Sequence, residues 1–144
     1  MANSATYDDV NLILHLYEMR REEKMRQARK WLTASFKART MEDFLKACPP
    51  GSEENAYFRM VVTYWEMVAS FITGGVLNQE LFFQSGLELL VVWEKVRDLV
   101  PLQRAANKNP GAYKNLEAVA KAAVEYLKRQ GPETYEAFSA RMRA

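Results

Sequence analysis

Apolar residues recur along this chain at intervals of three and four positions, the spacing that places them on one face of an α-helix. No segment shows sustained alternation of apolar and polar residues with the β-branched enrichment that is typical of strands. The pattern predicts an all-α fold, a single-domain bundle of five to six helices over residues 1–144 with a central buried helix. A short flexible N-terminus of about residues 1–7 is expected before the first helix.

The first helix is predicted to open at Asp8 or Asp9, whose carboxylates suit a helix N-terminus, and to run to about Phe36. Its apolar stripe is expected to face the core and consists of Val10, Leu14, Tyr17, Met25, Ala28, Leu32 and Ser35. Arg21 falls on the same stripe, where a cation should be paired or extend towards solvent.

Cap and breaker residues set the boundaries of the remaining helices. These helices are predicted over residues 41–47, 53–73, 78–100 and 110–129, with a short last one after Gly131–Pro132. Gly86 can divide the helix over residues 78–100, and Pro101 kinks or ends it. Asn109–Pro110 is expected to open the helix over residues 110–129, because asparagine caps helices and proline suits the first turn.

The helix over residues 53–73 is predicted to be the central one, wrapped by residues 8–36, 78–100 and 110–129. Its polar residues are Asn55, Arg59, Thr63, Glu66, Ser70 and Thr73. At about 100° per residue they fall in one strip roughly 80° wide, and apolar residues cover the rest. A helix of that kind lies in the middle of a bundle. Glu66 is therefore expected to face solvent or to pair with a cation.

The composition is that of a folded protein, with 49% hydrophobic and 26% charged residues and a net charge of +2. Cys48 is the only cysteine, so a disulfide within the chain is excluded and a cytoplasmic location is expected. No apolar window approaches the roughly 20 residues of a membrane span, and no secretory signal is visible. We expect no membrane association.

The sequence contains few residues that are suited to metal binding or nucleophilic catalysis. His15 is the only histidine, so a zinc site of the cysteine and histidine type cannot form within one chain. His15 and Cys48 are both expected to be structural, and Gly74–Gly75 is explained as a helix stop. The sequence therefore predicts no catalytic residue, no metal and no cofactor.

Residues 20–30 carry six basic and two acidic side chains. The candidate anion-binding face on this segment consists of Arg20, Lys24, Arg26, Arg29 and Lys30. Such a face can meet the phosphates of nucleic acid. The favoured interpretation is a solvated face with internal ion pairs, because Glu22 and Glu23 lie four and three residues before Arg26.

A second candidate constellation is a buried polar cluster of Arg21, Glu66, Glu88 and Arg59. A salt bridge between helices is expected there, with Arg21 paired to Glu66 or Glu88. Glu80 is a further acid available to these arginines. A small-ligand pocket lined by Arg21, Glu66 and Tyr64 is the alternative.

Three segments, LYEMRREEKMRQARKWL, YWEMVASFITGGVLNQELF and LLVVWEKVRDLV, carry a family resemblance. An arginine-rich first helix, an aromatic and glutamate segment before a glycine turn, and a tryptophan-bearing helix are its features. Over roughly residues 10–127 the chain resembles a bacterial family known only as a domain of unknown function. The resemblance implies a helical bundle and a bacterial origin, and it implies no activity.

We expect a non-enzymatic cytoplasmic bundle that acts through protein contacts, with a protein partner or as a homodimer. Trp31, Trp65, Trp93 and the Phe82–Phe83 pair supply more aromatic surface than one small core is expected to hide. A nucleic-acid-binding regulator and a small-ligand pocket between helices are the alternatives.

Overall fold

A computed structural model describes residues 4–144, which form nine α-helices and no strand. The helices are α1 (Tyr7–Met19), α2 (Glu23–Ala34), α3 (Met41–Ala47), α4 (Glu53–Thr73), α5 (Gln79–Ser85), α6 (Glu88–Val96), α7 (Val100–Ala106), α8 (Lys114–Gln130) and α9 (Thr134–Arg143). The all-α prediction is confirmed. The predicted number of five to six helices is wrong, because two of the long predicted helices are interrupted.

The predicted helix over residues 8–36 is two helices, α1 and α2, which are separated at residues 20–22. The Glu22 carboxylate accepts a hydrogen bond from the backbone N–H of Met25 at 3.1 Å and caps the start of α2. A capping carboxylate satisfies an N–H group that would otherwise lack a partner at a helix start. The spacing of apolar residues continues across the break, so periodicity alone did not indicate it.

The predicted helix over residues 78–100 is also interrupted. Gly86 has a backbone φ of 154°, a conformation that glycine adopts readily, and it separates α5 from α6 as predicted. α6 ends at Val96, and Pro101 then lies in the first turn of α7, where its missing N–H costs nothing. Pro101 therefore helps to start a helix, and the prediction that it kinks or ends one is wrong.

The helix predicted to open at Asn109–Pro110 begins later, at Lys114. Asn109 accepts a hydrogen bond from the N–H of Gly111 and forms a turn instead. Tyr113, directly before α8, has a left-handed backbone with φ 61° and supplies no side-chain cap. α8 therefore begins without a cap of its own.

α4 is the central helix, as predicted, and it packs mainly against α2 and α8 and also against α6. Its buried residues are Phe58, Val61, Val62, Trp65, Val68, Ala69 and Ile72. Trp65 is only 1% exposed. The predicted wrapping of α4 by residues 8–36 holds for α2, whereas α1 packs chiefly against α5.

The apolar stripe predicted for the first helix is correct for α2 and wrong for α1. Met25, Ala28 and Leu32 are buried, whereas Val10, Leu14 and Tyr17 are exposed. The buried residues of α1 are Asp9 and Leu16, which lie on another face. The helix break changes the direction of the chain, so one continuous stripe cannot face the core on both sides of it.

The core holds the aromatic residues that were expected to exceed its capacity. Trp65, Trp93, Phe82 and Phe83 are buried, and Trp31 is half-buried with its ring 5.3 Å from that of Phe36. The nine helices of residues 4–144, with α4 among them, provide enough interior for these side chains. The expected surplus of exposed aromatic surface from these residues is wrong.

The start of α1 is fixed by a capping box in which Thr6 and Asp9 bond reciprocally. The two Asp9 carboxylate oxygens accept hydrogen bonds from the backbone N–H groups of Thr6 and Asn78, both at 2.8 Å. Asp9 thus joins α1 to the start of α5. Of the N-terminus predicted to be flexible, residues 1–3 lie outside the described residues, while Thr6 and Tyr7 belong to this ordered cap.

These hydrogen bonds predict an acid-sensitive contact. The N–H of Thr6 and then that of Asn78 lower the pKa of Asp9 below its usual 3.8. A lowered folded-state pKa gives stability that is complete above the unfolded value and is lost as the pH falls through the folded value. We expect Asp9→Asn to reduce the free energy of unfolding at pH 6 and the difference from wild type to shrink towards pH 3, as measured by urea unfolding.

The control is Asp8→Asn, because Asp8 is exposed and lies next to Asp9 in the same turn. It should change the free energy of unfolding by less than about 0.5 kcal/mol. A difference between wild type and Asp9→Asn that is independent of pH would contradict this account of Asp9.

Candidate functional site

Arg29 connects three helices at the break between α1 and α2. Its Nε and Nη2 donate to the two carboxylate oxygens of Glu88, both at 2.6 Å, and its Nη1 donates to the carbonyl oxygen of Arg20 at 2.8 Å. The Arg29 and Glu88 side chains are only 24% and 22% exposed. A bidentate pair of this kind is strong and directional, and the hydrogen bond with Glu88 raises the pKa of Arg29.

Tyr64 supplies a second contact at the end of α1. Its hydroxyl donates to the carbonyl oxygen of Leu16 at 2.5 Å, and burial raises the pKa of Tyr64. The last carbonyl groups of a helix lack partners within the helix. Arg29 from α2 therefore meets the Arg20 carbonyl oxygen that the helix break leaves open. Tyr64 from α4 adds a second donor to the Leu16 carbonyl oxygen, which also accepts the N–H of Arg20 at 3.3 Å.

The predicted pairing of Arg21 with Glu66 or Glu88 is wrong. Arg21 is exposed at the helix break, with its guanidinium 5.6 Å from the centre of the Tyr17 ring. Glu88 pairs instead with Arg29, which lies on the buried side of α2. On a continuous helix Arg21 would have faced the core, but the break between α1 and α2 turns it towards solvent.

Glu66 caps another helix and does not face solvent or pair with a cation as predicted. Its carboxylate accepts hydrogen bonds from the N–H of Leu116 at 2.8 Å, the side-chain amide of Asn115 at 2.8 Å and the N–H of Asn115 at 3.4 Å. An acceptor with negative charge is favourable at a helix start. Glu66 therefore supplies the cap that α8 lacks.

Arg59 is exposed and donates to the side-chain oxygen of Asn55 on its own helix. The four members of the predicted polar cluster thus lie in separate contacts, and among the described residues they make no hydrogen bond or ion pair with one another. The three residues of the predicted pocket also make separate contacts: Arg21 with Tyr17, Glu66 with the start of α8 and Tyr64 with the end of α1. Glu80, the other acid considered, lies 4.0 Å from Arg129.

The candidate anion-binding face is divided by the fold. Arg29 is paired with Glu88, and Arg20 is half-buried against aromatic rings. Lys24, Arg26 and Lys30 remain exposed, and within residues 4–144 none of them lies within ion-pairing distance of an acid. The expected pairs of Arg26 with Glu22 and Glu23 do not form.

Arg20 lies above two aromatic rings. Its guanidinium carbon is 5.0 Å from the centre of the Tyr17 ring and 5.5 Å from that of Trp65, distances typical of cation–π contacts. Within residues 4–144 the Arg20 side chain has neither a hydrogen bond nor an ion pair, and its Nε is buried without an acceptor. The indole nitrogen of Trp65 is likewise buried and without an acceptor.

Both side chains line a half-open cleft of about 250 Å³ between α1, α4 and α5, which we call the Arg20 cleft. Its lining consists of Ile13, Leu14, Leu16, Tyr17, Arg20, Trp65, Phe82 and Ser85. Most of these side chains are apolar, and Arg20 is the only charged one among them. The sequence did not predict this cleft, because Arg20 was interpreted as one cation of a solvated helix face.

The outer face of α1 is a further exposed feature. We call its four large exposed side chains the α1 stripe: they are Tyr7 (77% exposed), Val10 (39%), Leu14 (57%) and Tyr17 (47%). Their steps of three, four and three place them within roughly 80° of one another on the helix. Most of the large exposed hydrophobic side chains of residues 4–144 lie on α1.

Glu94 is a buried acid that was not among the predicted site residues. It accepts hydrogen bonds from the hydroxyl groups of Tyr135 at 3.0 Å and Ser139 at 2.5 Å, and Arg97 lies 3.5 Å away. Its position inside the apolar run LLVVWEKV was the available signal. Because all its contacts join α6 to α9 or lie within α6, Glu94 is a structural residue.

Residues with potential for metal or thiol chemistry do not come together. No group of three or more histidine, cysteine, aspartate or glutamate side chains suited to a metal occurs in residues 4–144. Cys48 is buried, and burial, with a smaller contribution from Glu54, raises its pKa to about 11. Its thiol is therefore protonated at neutral pH and a poor nucleophile.

The comparison with protein families matches residues 5–123 to the model described as "Domain of unknown function (DUF4760)". The chain belongs to this family. The match covers nearly the whole range over which the sequence resembled a domain of unknown function. No curated protein and no solved structure matches the chain significantly. In this DUF4760 domain, no helix of residues 4–144 is both long and apolar enough to cross a membrane.

We expect Arg29→Met to lower the free energy of unfolding of the DUF4760 domain by about 2 kcal/mol, since it leaves Glu88 largely buried without its partner. The loss should be smaller than the about 3–5 kcal/mol of a fully buried pair, because both side chains retain some exposure. Urea unfolding measures this. Arg26→Met on the exposed side of the same helix should cost less than about 0.5 kcal/mol, and equal losses would refute the role of Arg29.

We expect Glu66→Ala to cost about 1–2 kcal/mol, which is the usual loss when a helix-capping acceptor is removed. The N–H groups at the start of α8 would lose their acceptor. Glu125→Ala on the exposed face of α8 is the control and should have little effect. Hydrogen exchange of Asn115 and Leu116 should accelerate only in Glu66→Ala, and unchanged exchange there would contradict the cap.

Proposed function

We propose that this DUF4760 domain is a non-enzymatic protein-interaction module and that it binds its partner through the α1 stripe. A bacterial origin and a cytoplasmic location, which the single buried Cys48 supports, are part of this proposal. The observation that carries the proposal is the row of large apolar side chains on the outer face of α1.

α1 is apolar on two sides, and only one of them contributes to the core. Leu12, Ile13 and Leu16 face the bundle, whereas the α1 stripe faces outward. Burying the stripe would release its apolar surface from water, a gain of about 25 cal/mol for each Å². A contiguous apolar row on a helix is the arrangement with which helices dock against partner helices.

A second copy of the chain is the partner that best fits the spacing of the stripe. In an antiparallel pair related by a two-fold axis at the level of residue 12, Tyr7 lies opposite Tyr17 and Val10 opposite Leu14 of the other copy. The stripe is thus complementary to itself, as a two-fold interface requires. Each aromatic residue meets an aromatic residue, and each aliphatic residue meets an aliphatic one.

The dipoles of the two helices also favour an antiparallel pair, because antiparallel packing places the positive N-terminal end of each α1 beside the negative C-terminal end of the other copy. α1 has 13 residues and is only about 20 Å long, so the interface is smaller than the standard of about 1,600 Å² and we expect micromolar affinity.

Nucleic-acid binding has weaker support as a function. It would depend on Lys24, Arg26 and Lys30, since Arg20 and Arg29 make contacts inside the bundle. Three neighbouring cations give a modest electrostatic attraction for phosphates. No aromatic residue lies exposed among them to stack against bases.

Sedimentation equilibrium over a micromolar concentration range tests the proposal. We expect wild type to form dimers reversibly and the double variant Tyr7→Ser/Val10→Ser to weaken association by about tenfold or more, because it removes apolar surface from both halves of the interface. Leu45→Ser is the matched control, because Leu45 is 51% exposed on α3. A monomer at every concentration, or equal association of both variants, would rule out self-association through α1.

A further inference from the structure

We propose that the Arg20 cleft binds a small organic acid, a monocarboxylate with a short apolar tail. Its carboxylate would meet Arg20 and the indole N–H of Trp65, and its tail would lie against the apolar walls from α1 and α5. This inference goes beyond the proposed interaction function and does not depend on it, although Leu14 and Tyr17 belong to both surfaces.

The first argument is the charge of Arg20. Within residues 4–144 its guanidinium has no carboxylate partner, although it is half-buried. Of the acids near this end of α1, Glu88 has both oxygens occupied by Arg29 and Glu22 caps α2, and within residues 4–144 no acid lies within ion-pairing distance of Arg20. A partly buried cation without a counter-ion is costly unless an anion or water meets it. The cleft therefore presents one positive charge that the protein leaves unneutralised.

The second argument is the position of the unsatisfied donors. Three buried side-chain nitrogens of residues 4–144 have no hydrogen-bond partner, and two of them belong to Arg20 and Trp65, which both line the Arg20 cleft. The third, Nε of Arg97, lies 3.5 Å from the Glu94 carboxylate and so has an electrostatic partner. Buried donors are rarely left without an acceptor. Because two residues that line one cleft each carry such a donor, we infer that a ligand oxygen binds there.

The cleft also defines the rest of the ligand. Ile13, Leu16 and Phe82 offer apolar walls, and the space of about 250 Å³ is below the roughly 300–1,000 Å³ of pockets for drug-sized ligands. A guanidinium matches the geometry of a carboxylate, and aromatic rings on one side hold it in place. Arg20 would repel a cationic ligand, and a neutral ligand would leave the charge of Arg20 without a counter-ion. A small acid with an aliphatic or aromatic body satisfies both requirements.

Arg20 would act as the mobile part of the site. Both orphan nitrogens are shielded from solvent, so a carboxylate reaches them when the Arg20 side chain moves from its position above Trp65. Its backbone carbonyl stays fixed by Arg29 at 2.8 Å. The side chain can therefore move while the end of α1 stays in place.

Octanoate is a suitable probe, and 1-octanol is its uncharged control. We expect octanoate to shift the indole N–H resonance of Trp65 downfield in 1H–15N NMR spectra, with smaller changes at Trp31 and Trp93, which lie outside the cleft lining. Trp65→Phe identifies the resonance. Octanoate should bind at least about tenfold more tightly than 1-octanol, the effect of one charge-assisted hydrogen bond.

The decisive variant is Arg20→Gln, which should weaken octanoate binding by about tenfold or more and leave the binding of 1-octanol unchanged. Arg21→Gln is the matched control, because Arg21 is the adjacent arginine, is exposed and does not line the cleft. It should retain the affinity of wild type. Thermal unfolding without ligand checks that both variants are folded.

Three results would overturn the proposal. Equal affinity for octanoate and 1-octanol in wild type would mean that the cleft is merely apolar. Equal octanoate affinity in Arg20→Gln and Arg21→Gln would mean that the carboxylate does not meet Arg20. No shift of the Trp65 indole resonance at millimolar octanoate would mean that the cleft holds no acid. A monomeric protein in sedimentation would leave these measurements unaffected, so the two proposals fail separately.

Discussion

The guanidinium of Arg29 makes three hydrogen bonds that hold the N-terminal part of the molecule together. Two reach Glu88 in the first turn of α6, and one reaches the carbonyl oxygen of Arg20 at the end of α1. The contact joins a cation in the middle of one helix to an acid at the start of another and to the open end of a third. The orientation of α1, and with it the α1 stripe and the Arg20 cleft, depends on this contact.

The same principle recurs elsewhere in the bundle. The nine helices of residues 4–144 have many ends, and each end leaves backbone groups without partners inside its helix. Glu66 serves the start of α8, and Asp9 bonds the N–H of Asn78 before α5. Tyr64 serves the end of α1, and Arg143 bonds the carbonyl of Glu94. Polar side chains from one helix therefore bond the backbone groups that are left open at the ends of others.

The sequence predicted the fold class and the central helix because both rest on local signals. The polar strip of α4 and the glycines after it are readable from neighbouring positions. The break before α2 was not predicted, because the capping role of Glu22 depends on a change of direction that leaves apolar spacing intact. The division at Gly86 was predicted, because glycine is itself a local signal.

The candidate site residues were predicted less well, because their roles depend on distant partners. Glu66 and Glu88 of the predicted cluster do contact other helices, whereas the two arginines of that cluster are exposed. Glu88 lies 59 positions from its partner Arg29, and Glu66 lies 50 from Leu116. No spacing rule identifies which arginine meets which acid across such separations. The exposure of the α1 stripe and the isolation of Arg20 both follow from these long-range choices.

Cys48 provides a consequence of another kind. Its thiol is fully enclosed at the end of α3 and has a pKa of about 11, so a thiol-specific reagent finds it neither accessible nor ionised in the folded chain. Modification therefore requires a local opening that exposes the thiol to solvent and allows it to ionise. The rate at which Cys48 is modified therefore reports how often the structure around α3 opens, and no labelling site has to be introduced.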